Sequence, residues 1–268
     1  MSMPGELTAR HRTSGFTLIE MVVTIVIIGI LGVGISSFIG NTTKGMIDTA
    51  ERSQVATIAF LVSERVSRSL RQALPNSIRT NGGSCIEYIP IYAGTDYLSV
   101  PISVTANQFE VAPFSNVANG FDFSLEPFRV AVYPISATGL YTSSVLSPEI
   151  SQISAGATTG AQLIVLDATH QFPQDSPTRR LFLINEPNMY CFDSGLLYHY
   201  STYGFQVALP TLNLNNQTVV GSRLGQGEFN YSPSTLKRNG VVTINFNVLG
   251  DDGLIQAVNQ EVQIRNVP

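Results

Sequence analysis

One carboxylate stands where a carboxylate is costly. In Gly15-Phe16-Thr17-Leu18-Ile19-Glu20, the glutamate lies inside a run that is otherwise apolar or hydroxylic from Phe16 to Ile39. A charge at the centre of a membrane helix costs roughly 2.5–3.5 kcal/mol even on insertion scales, so Glu20 needs a positive partner. A cut after Gly15 supplies one, because it exposes an α-amine on Phe16 one helical turn away. That amine can meet Glu20 of its own chain, or Glu20 of a neighbouring chain whose helix packs with a stagger. If the chain is cut there, the chemistry these residues can do is charge pairing.

The other reactive side chains carry no catalytic pattern. Histidines stand at 11, 170 and 199, without metal-ligand spacing, and no G-x-S-x-G, P-loop or H-E-x-x-H sequence occurs. Asp251-Asp252-Gly253 supplies too few oxygens for a calcium ion, which takes six to eight, and reads as a turn. Arg65, Arg68, Arg71 and Arg79 form a short basic cluster that reads as a solvated or subunit-contacting face. The sequence thus offers no catalytic residue, no metal site and no cofactor site.

The elements that must position Phe16 and Glu20 are long. Pro4 is the sole proline before Pro75, whereas thirteen lie from Pro75 to Pro268, and glycine is absent from Met46 through Asn81. Proline interrupts helices by removing a donor and clashing with the preceding turn, so one helix fits the proline-free stretch. Phe16–Ile39 supplies 24 residues, about 36 Å of helix, enough for a ~30 Å hydrocarbon layer. Arg10 and Arg12 precede it, so the positive-inside rule keeps the N-terminus cytoplasmic and sends the rest across. Beyond Gly45, Val55, Ile58, Val62, Val66, Leu70 and Ala73 recur at helical spacing, with Glu64/Arg68 as an i,i+4 pair. Pro75 and Asn76 end the helix.

From Pro75 onward the pattern is strands and turns. Val242, Ile244, Phe246 and Val248 alternate with polar residues, and Gly250–Gly253 turns the chain into a returning strand from Leu254 to Arg265. Met189–Phe192 and Leu196–Tyr200 flank Asp193-Ser194-Gly195, a hairpin signature. Ala161–Leu166 and Leu181–Ile184 read as interior strands, and Asn239-Gly240 as a tight turn. The expected organisation is a leader over 1–15, a membrane helix over 16–39, an amphipathic helix over 40–74 and one antiparallel β head over 75–268. The fold class is α+β.

Composition excludes several roles. The net charge is −4 and only 13% of residues are charged, against ~25% in an average soluble domain, so no general nucleic-acid surface is present. Hydrophobic content of 44% supports a packed core. Two cysteines are too few for a disulfide scaffold or a self-contained zinc site.

Gly15, Phe16 and Glu20, beside a long apolar run, resemble the type IV prepilins and the pseudopilins of type II secretion. The resemblance implies cleavage after Gly15 by a membrane prepilin peptidase, N-methylation of Phe16, and a guiding role for Glu20 in assembly. An ordinary secretory signal cut after Gly32-Val33-Gly34, or a simple anchor, is the alternative; Glu20 and the helical pattern beyond Gly34 oppose both. Glu64–Arg79, Cys85–Ile91, Tyr97-Leu98-Ser99, the Tyr190–Tyr198 hairpin and Val262–Pro268 are similar to MshO-type minor pilins of the mannose-sensitive haemagglutinin (MSHA) pilus. That likeness implies a large, low-copy priming or tip subunit in a pilin-like fold. Its implied partners are other major and minor pilins, the prepilin peptidase and N-methyltransferase, the inner-membrane assembly platform and, before assembly, lipid. The subunit would sit in the bacterial inner membrane with a periplasmic head, then on the cell surface in the pilus. In that oxidising compartment Cys85 and Cys191 are expected to pair. A type II secretion pseudopilin, or an adhesin or DNA-uptake subunit with a ligand-binding head, are the rival functions.

Overall fold

A computed structural model describes residues 15–114, 127–142, 144–210, 216–235, 238–251 and 253–264. The leader residues 1–14, Asp252 and Arg265–Pro268, which figure in the expectations above, lie outside them. Contacts divide the chain into two units, Met1–Glu51 and Arg52–Pro268.

Helix α1 runs from Leu18 to Arg71, 54 residues without interruption. In the first unit every described residue of it is exposed, from Leu18 to Ala50. In the second unit it buries one stripe: Val55, Ala59, Val62, Val66 and Leu70. Ala59 is buried while Ile58 packs at the margin of the core. Glu64 and Arg68 pair at 3.2 Å on the exposed side. The helix ends at Arg71, three residues before the expected boundary. Gln72 and Ala73 close the last turn through i→i−3 bonds to Ser69 and Leu70, the tightened ending common at helix C-termini.

The strands follow as β1 (Arg79–Asn81), β2 (Cys85–Tyr88), β3 (Ile91–Asp96), β4 (Ala106–Val111) and β5 (Arg129–Val132). After the short helix α2 (Ala137–Tyr141) come β6 (Ile150–Ala155), β7 (Gln162–His170), β8 (Arg180–Ile184), β9 (Asn188–Asp193) and β10 (Leu196–Tyr200). The last four are β11 (Gln217–Gly221), β12 (Leu224–Ser232), β13 (Gly240–Leu249) and β14 (Ile255–Ile264). All pairings are antiparallel. The layout is α+β: a long apolar N-terminal helix and a set of antiparallel sheets.

The antiparallel strands form four sheets: β1-β2-β9-β10-β11, β12-β13-β14, β3-β8-β5 and β4-β7-β6. The division follows from one pairing. Strands β2 and β9 are neighbours in space, so everything from β3 to β8 is an excursion between them. That excursion has its own core, with Phe109, Phe128, Phe172, Ile164 and Leu183 buried together. A second core joins the α1 stripe to Tyr190, Phe192, Leu224, Phe229, Ile244, Phe246 and Val262.

Two turns show local sequence at work. Ser194 and Gly195 have φ of 49° and 81°, the left-handed pair a two-residue hairpin needs between β9 and β10. By contrast, Asn239-Gly240 is not a turn. Gly240 already pairs with Ile264 as the first residue of β13, and Thr235 and Arg238 bond to each other in both directions.

Candidate functional site

The helix start is built from Thr17 and Glu20, the two residues that flank the apolar pair Leu18-Ile19. Thr17 precedes the helix, and its Oγ1 accepts the Glu20 N–H at 3.4 Å. In return the Glu20 carboxylate accepts the Thr17 N–H at 3.5 Å. This is a reciprocal capping box, which satisfies donors that an N-terminus leaves open. The acidic side chain in the first turn also faces the positive end of the helix dipole. Thr17 was not singled out from sequence, although T-x-x-E at the head of an apolar run is a readable capping signature.

This cap places Gly15 and Phe16 just outside the helix. Phe16 is exposed, at 77% of its full surface. Glu20 finds its partner within its own chain, and that partner is a weak one, at a distance where a stronger cation can replace it. Beyond Glu20 the apolar side chains of Met21–Ile39 are uncovered. The helix is long and apolar enough to cross a membrane, and surface of this kind needs lipid or other helices against it. A Cβ placed on Gly29, Gly32 or Gly34 would touch nothing in the chain, so this segment is open to close approach by a neighbour.

In the second unit, Cys85 of β2 and Cys191 of β9 are directly opposed in register and joined by a disulfide. The bond crosses the stem of the β3–β8 excursion. Around it Met189 and Tyr200 are buried.

Beside the disulfide sits a buried ionic group. Glu87 is wholly buried and pairs with Arg79 across the β1–β2 ladder. Tyr203 donates to the other Glu87 oxygen at 2.7 Å. Arg79 also donates to the Val207 and Gln206 carbonyls at 2.6 and 2.7 Å and lies over the Tyr141 ring at 3.5 Å. Burial, then the nearby Glu87 charge, pushes the Tyr203 and Tyr141 hydroxyls well up, so both remain protonated donors. Every partner is satisfied, and the group fixes α2 and the 203–208 segment to β1 and β2. Arg79 therefore leaves the basic cluster expected from sequence; Arg65, Arg68 and Arg71 remain exposed.

The other candidates resolve into packing. Burial lowers the pKa of His170 and, together with Arg65, that of His199. His170 packs edge-on to Phe172 and His199 against Tyr190. Asp251 pairs with Arg223 at 2.8 Å. Among the described residues no group of three His, Cys, Asp or Glu is placed to hold a metal. A groove of about 1010 Å³ runs between the turns at Gly83 and Ser194 and the β12–β14 sheet, lined by Glu228, Asn245, Asn247 and Asn259. Two of its amides bond to each other, Asn259 to Asn245 at 2.5 Å.

Residues 10–36 match the family model described as the prokaryotic N-terminal methylation motif. The matched span holds Gly15, Phe16, Thr17, Glu20 and the first part of α1, and it supports a type IV pilin-like prepilin. Comparison with curated proteins and with solved structures finds no match.

Proposed function

We propose that this chain is a minor subunit of a type IV pilus of the MSHA kind, working in assembly rather than in catalysis. The observation that carries the reading is the methylation motif over residues 10–36 at the start of an uninterrupted 54-residue helix. Prepilin peptidase cuts after Gly15, and the new Phe16 terminus is methylated. The apolar half of α1 holds the subunit in the inner membrane. In the fibre the same surface packs against other pilin helices, where helix contacts replace lipid contacts.

Glu20 sets the register. Its bond to the Thr17 N–H, at 3.5 Å, is neutral-donor and long. The charged amine of a neighbouring Phe16 is a stronger partner in a low-dielectric fibre core. Handing the carboxylate from cap to amine marks where an entering subunit stops. The head, residues 75–268, then selects neighbours and presents the outer surface. Its four-sheet bulk suits a low-copy priming or tip position better than a repeating shaft.

Two measurements test this. Glu20→Ala is expected to leave cleavage intact and lower incorporation into sheared fibres at least tenfold; normal incorporation refutes the pairing role. Deleting the gene is expected to reduce fibre number without changing fibre diameter. A subunit present in shaft-like abundance, or fibres unchanged in number, refutes the priming role.

A further inference from the structure

Most sheet edges in the second unit are guarded. Strands β1, β3, β4, β5, β6 and β11 are three to six residues long. The nine-residue β12 is covered on its outer side, where Phe229 and Leu224 donate to the Gly83 and Gly195 carbonyls. Short or covered edges are how native sheets avoid pairing with other chains.

Strand β14 breaks that rule. It is ten residues long and pairs with β13 at every position from Ile255 to Ile264 without a bulge. Ile255-Gln-Ala-Val-Asn-Gln-Glu-Val-Gln-Ile264 contains no proline, no glycine and no lysine or arginine. Among the described residues no strand lies on its other side. Among the described residues nothing pairs with about 33 Å of backbone on that side.

We propose that this edge receives an extended strand from a different subunit of the same fibre; the inference rests on the pilus reading above. The two faces of β14 specify that strand. On the core side Val258 stands opposite Phe246 and Val262 opposite Val242. Val262 is fully buried, but Val258 is only partly covered, so an apolar side chain on the incoming strand completes the core row. On the outer side Glu261, opposite Thr243, is the one charge in the strand and has no cationic partner among the described residues. The incoming strand therefore alternates apolar and polar residues and carries a lysine or arginine beside Glu261.

A second copy of this chain fits less well. Antiparallel self-pairing that keeps both core faces together and the overlap longest centres on Asn259 or Gln260; only the second puts the two Glu261 side chains on a diagonal of ~7–8 Å. With no basic residue in β14, neither copy supplies the countercharge.

The test uses the full chain in the cells that assemble it, with the photoreactive residue p-benzoylphenylalanine replacing Ala257, and hydrogen exchange of fibres against detergent-solubilised chain. Expected are a crosslink to an alternating, lysine- or arginine-bearing segment of another subunit, and at least tenfold slower exchange of β14 amides in fibres. Gln260→Lys, which points a charge to the core side of the edge where the chain already tolerates a polar residue, is expected to abolish both while the disulfide and thermal midpoint persist. A crosslink within the chain, a crosslink to a second copy, or unchanged β14 exchange in fibres whose subunit begins at Phe16 overturns the edge proposal alone. A subunit that does not begin at Phe16 overturns the pilus reading, and this proposal with it.

Discussion

Removing the Cys85–Cys191 bond gives the sharpest energetic expectation. The two cysteines are 106 residues apart in sequence, so the bond closes a long loop in the unfolded chain. The chain-entropy relation for a loop of that length gives about 4.8 kcal/mol at 25 °C. The native state adds little resistance of its own, because Cys85 and Cys191 are already opposed in the β2–β9 ladder. In a domain of 150–250 residues each kcal/mol moves the midpoint by about 2–4 °C, so Cys85→Ser/Cys191→Ser is expected to melt about 10–19 °C lower. The assay is thermal unfolding of the full chain in detergent, followed by near-ultraviolet circular dichroism, for oxidised wild type and the double variant. The bond lies at the stem of the β3–β8 excursion, so the excursion's aromatic signal from Phe109, Phe128 and Phe172 should fall with the rest of the head. A midpoint within about 3 °C of wild type refutes the assignment of this bond as the main constraint on the stem.

Three further outcomes follow from the head. A Cβ on Gly227 would lie 2.3 Å from Cγ of Phe192, so Gly227→Ala is expected to cost about 1–3 kcal/mol by overpacking; an unchanged urea midpoint contradicts the close crossing of β12 over that ring. Arg79→Met strands the buried Glu87 charge and is expected to cost about 3–5 kcal/mol, whereas Arg79→Met with Glu87→Leu recovers most of it; equal losses in both variants contradict the pairing. Folding lowers the pKa of His170 and His199 from the ordinary 6.5, so the unfolded chain binds protons first as pH falls. Their contribution to stability is complete above about 6.5 and is lost below it, as pH approaches the folded values. The melting midpoint is expected to drop between pH 7 and 5, and His170→Gln/His199→Gln to flatten that slope; a slope unaffected by the double variant refutes the histidines as its source.

The parts legible in the sequence were those fixed by local chemistry. Absence of proline from Gly5 to Leu74 marked the long helix, and Val55, Val62, Val66 and Leu70 marked its buried stripe. The β9–β10 and β13–β14 hairpins were readable because each reverses through a few glycine- and aspartate-rich residues. What stayed hidden depended on distant register. Only the β2–β9 pairing, between segments some hundred residues apart, reveals that β3–β8 is an excursion with its own sheets. Arg79 looked like a member of a basic cluster because its neighbours in sequence are arginines; Glu87 claims it across a ladder that sequence proximity does not show. At the N-terminus the capping signature is local and readable. Thr17 and Glu20 stand three apart, the spacing at which each bonds the other's N–H.

Mass spectrometry of the N-terminus of this chain, recovered from sheared surface fibres, bears most directly on its proposed role. A mature chain that begins at N-methylated Phe16 is the expected species. A chain that still begins at Met1, or one that begins after Gly34, contradicts cleavage at Gly15 and with it the pairing of Glu20 with a neighbour's amine.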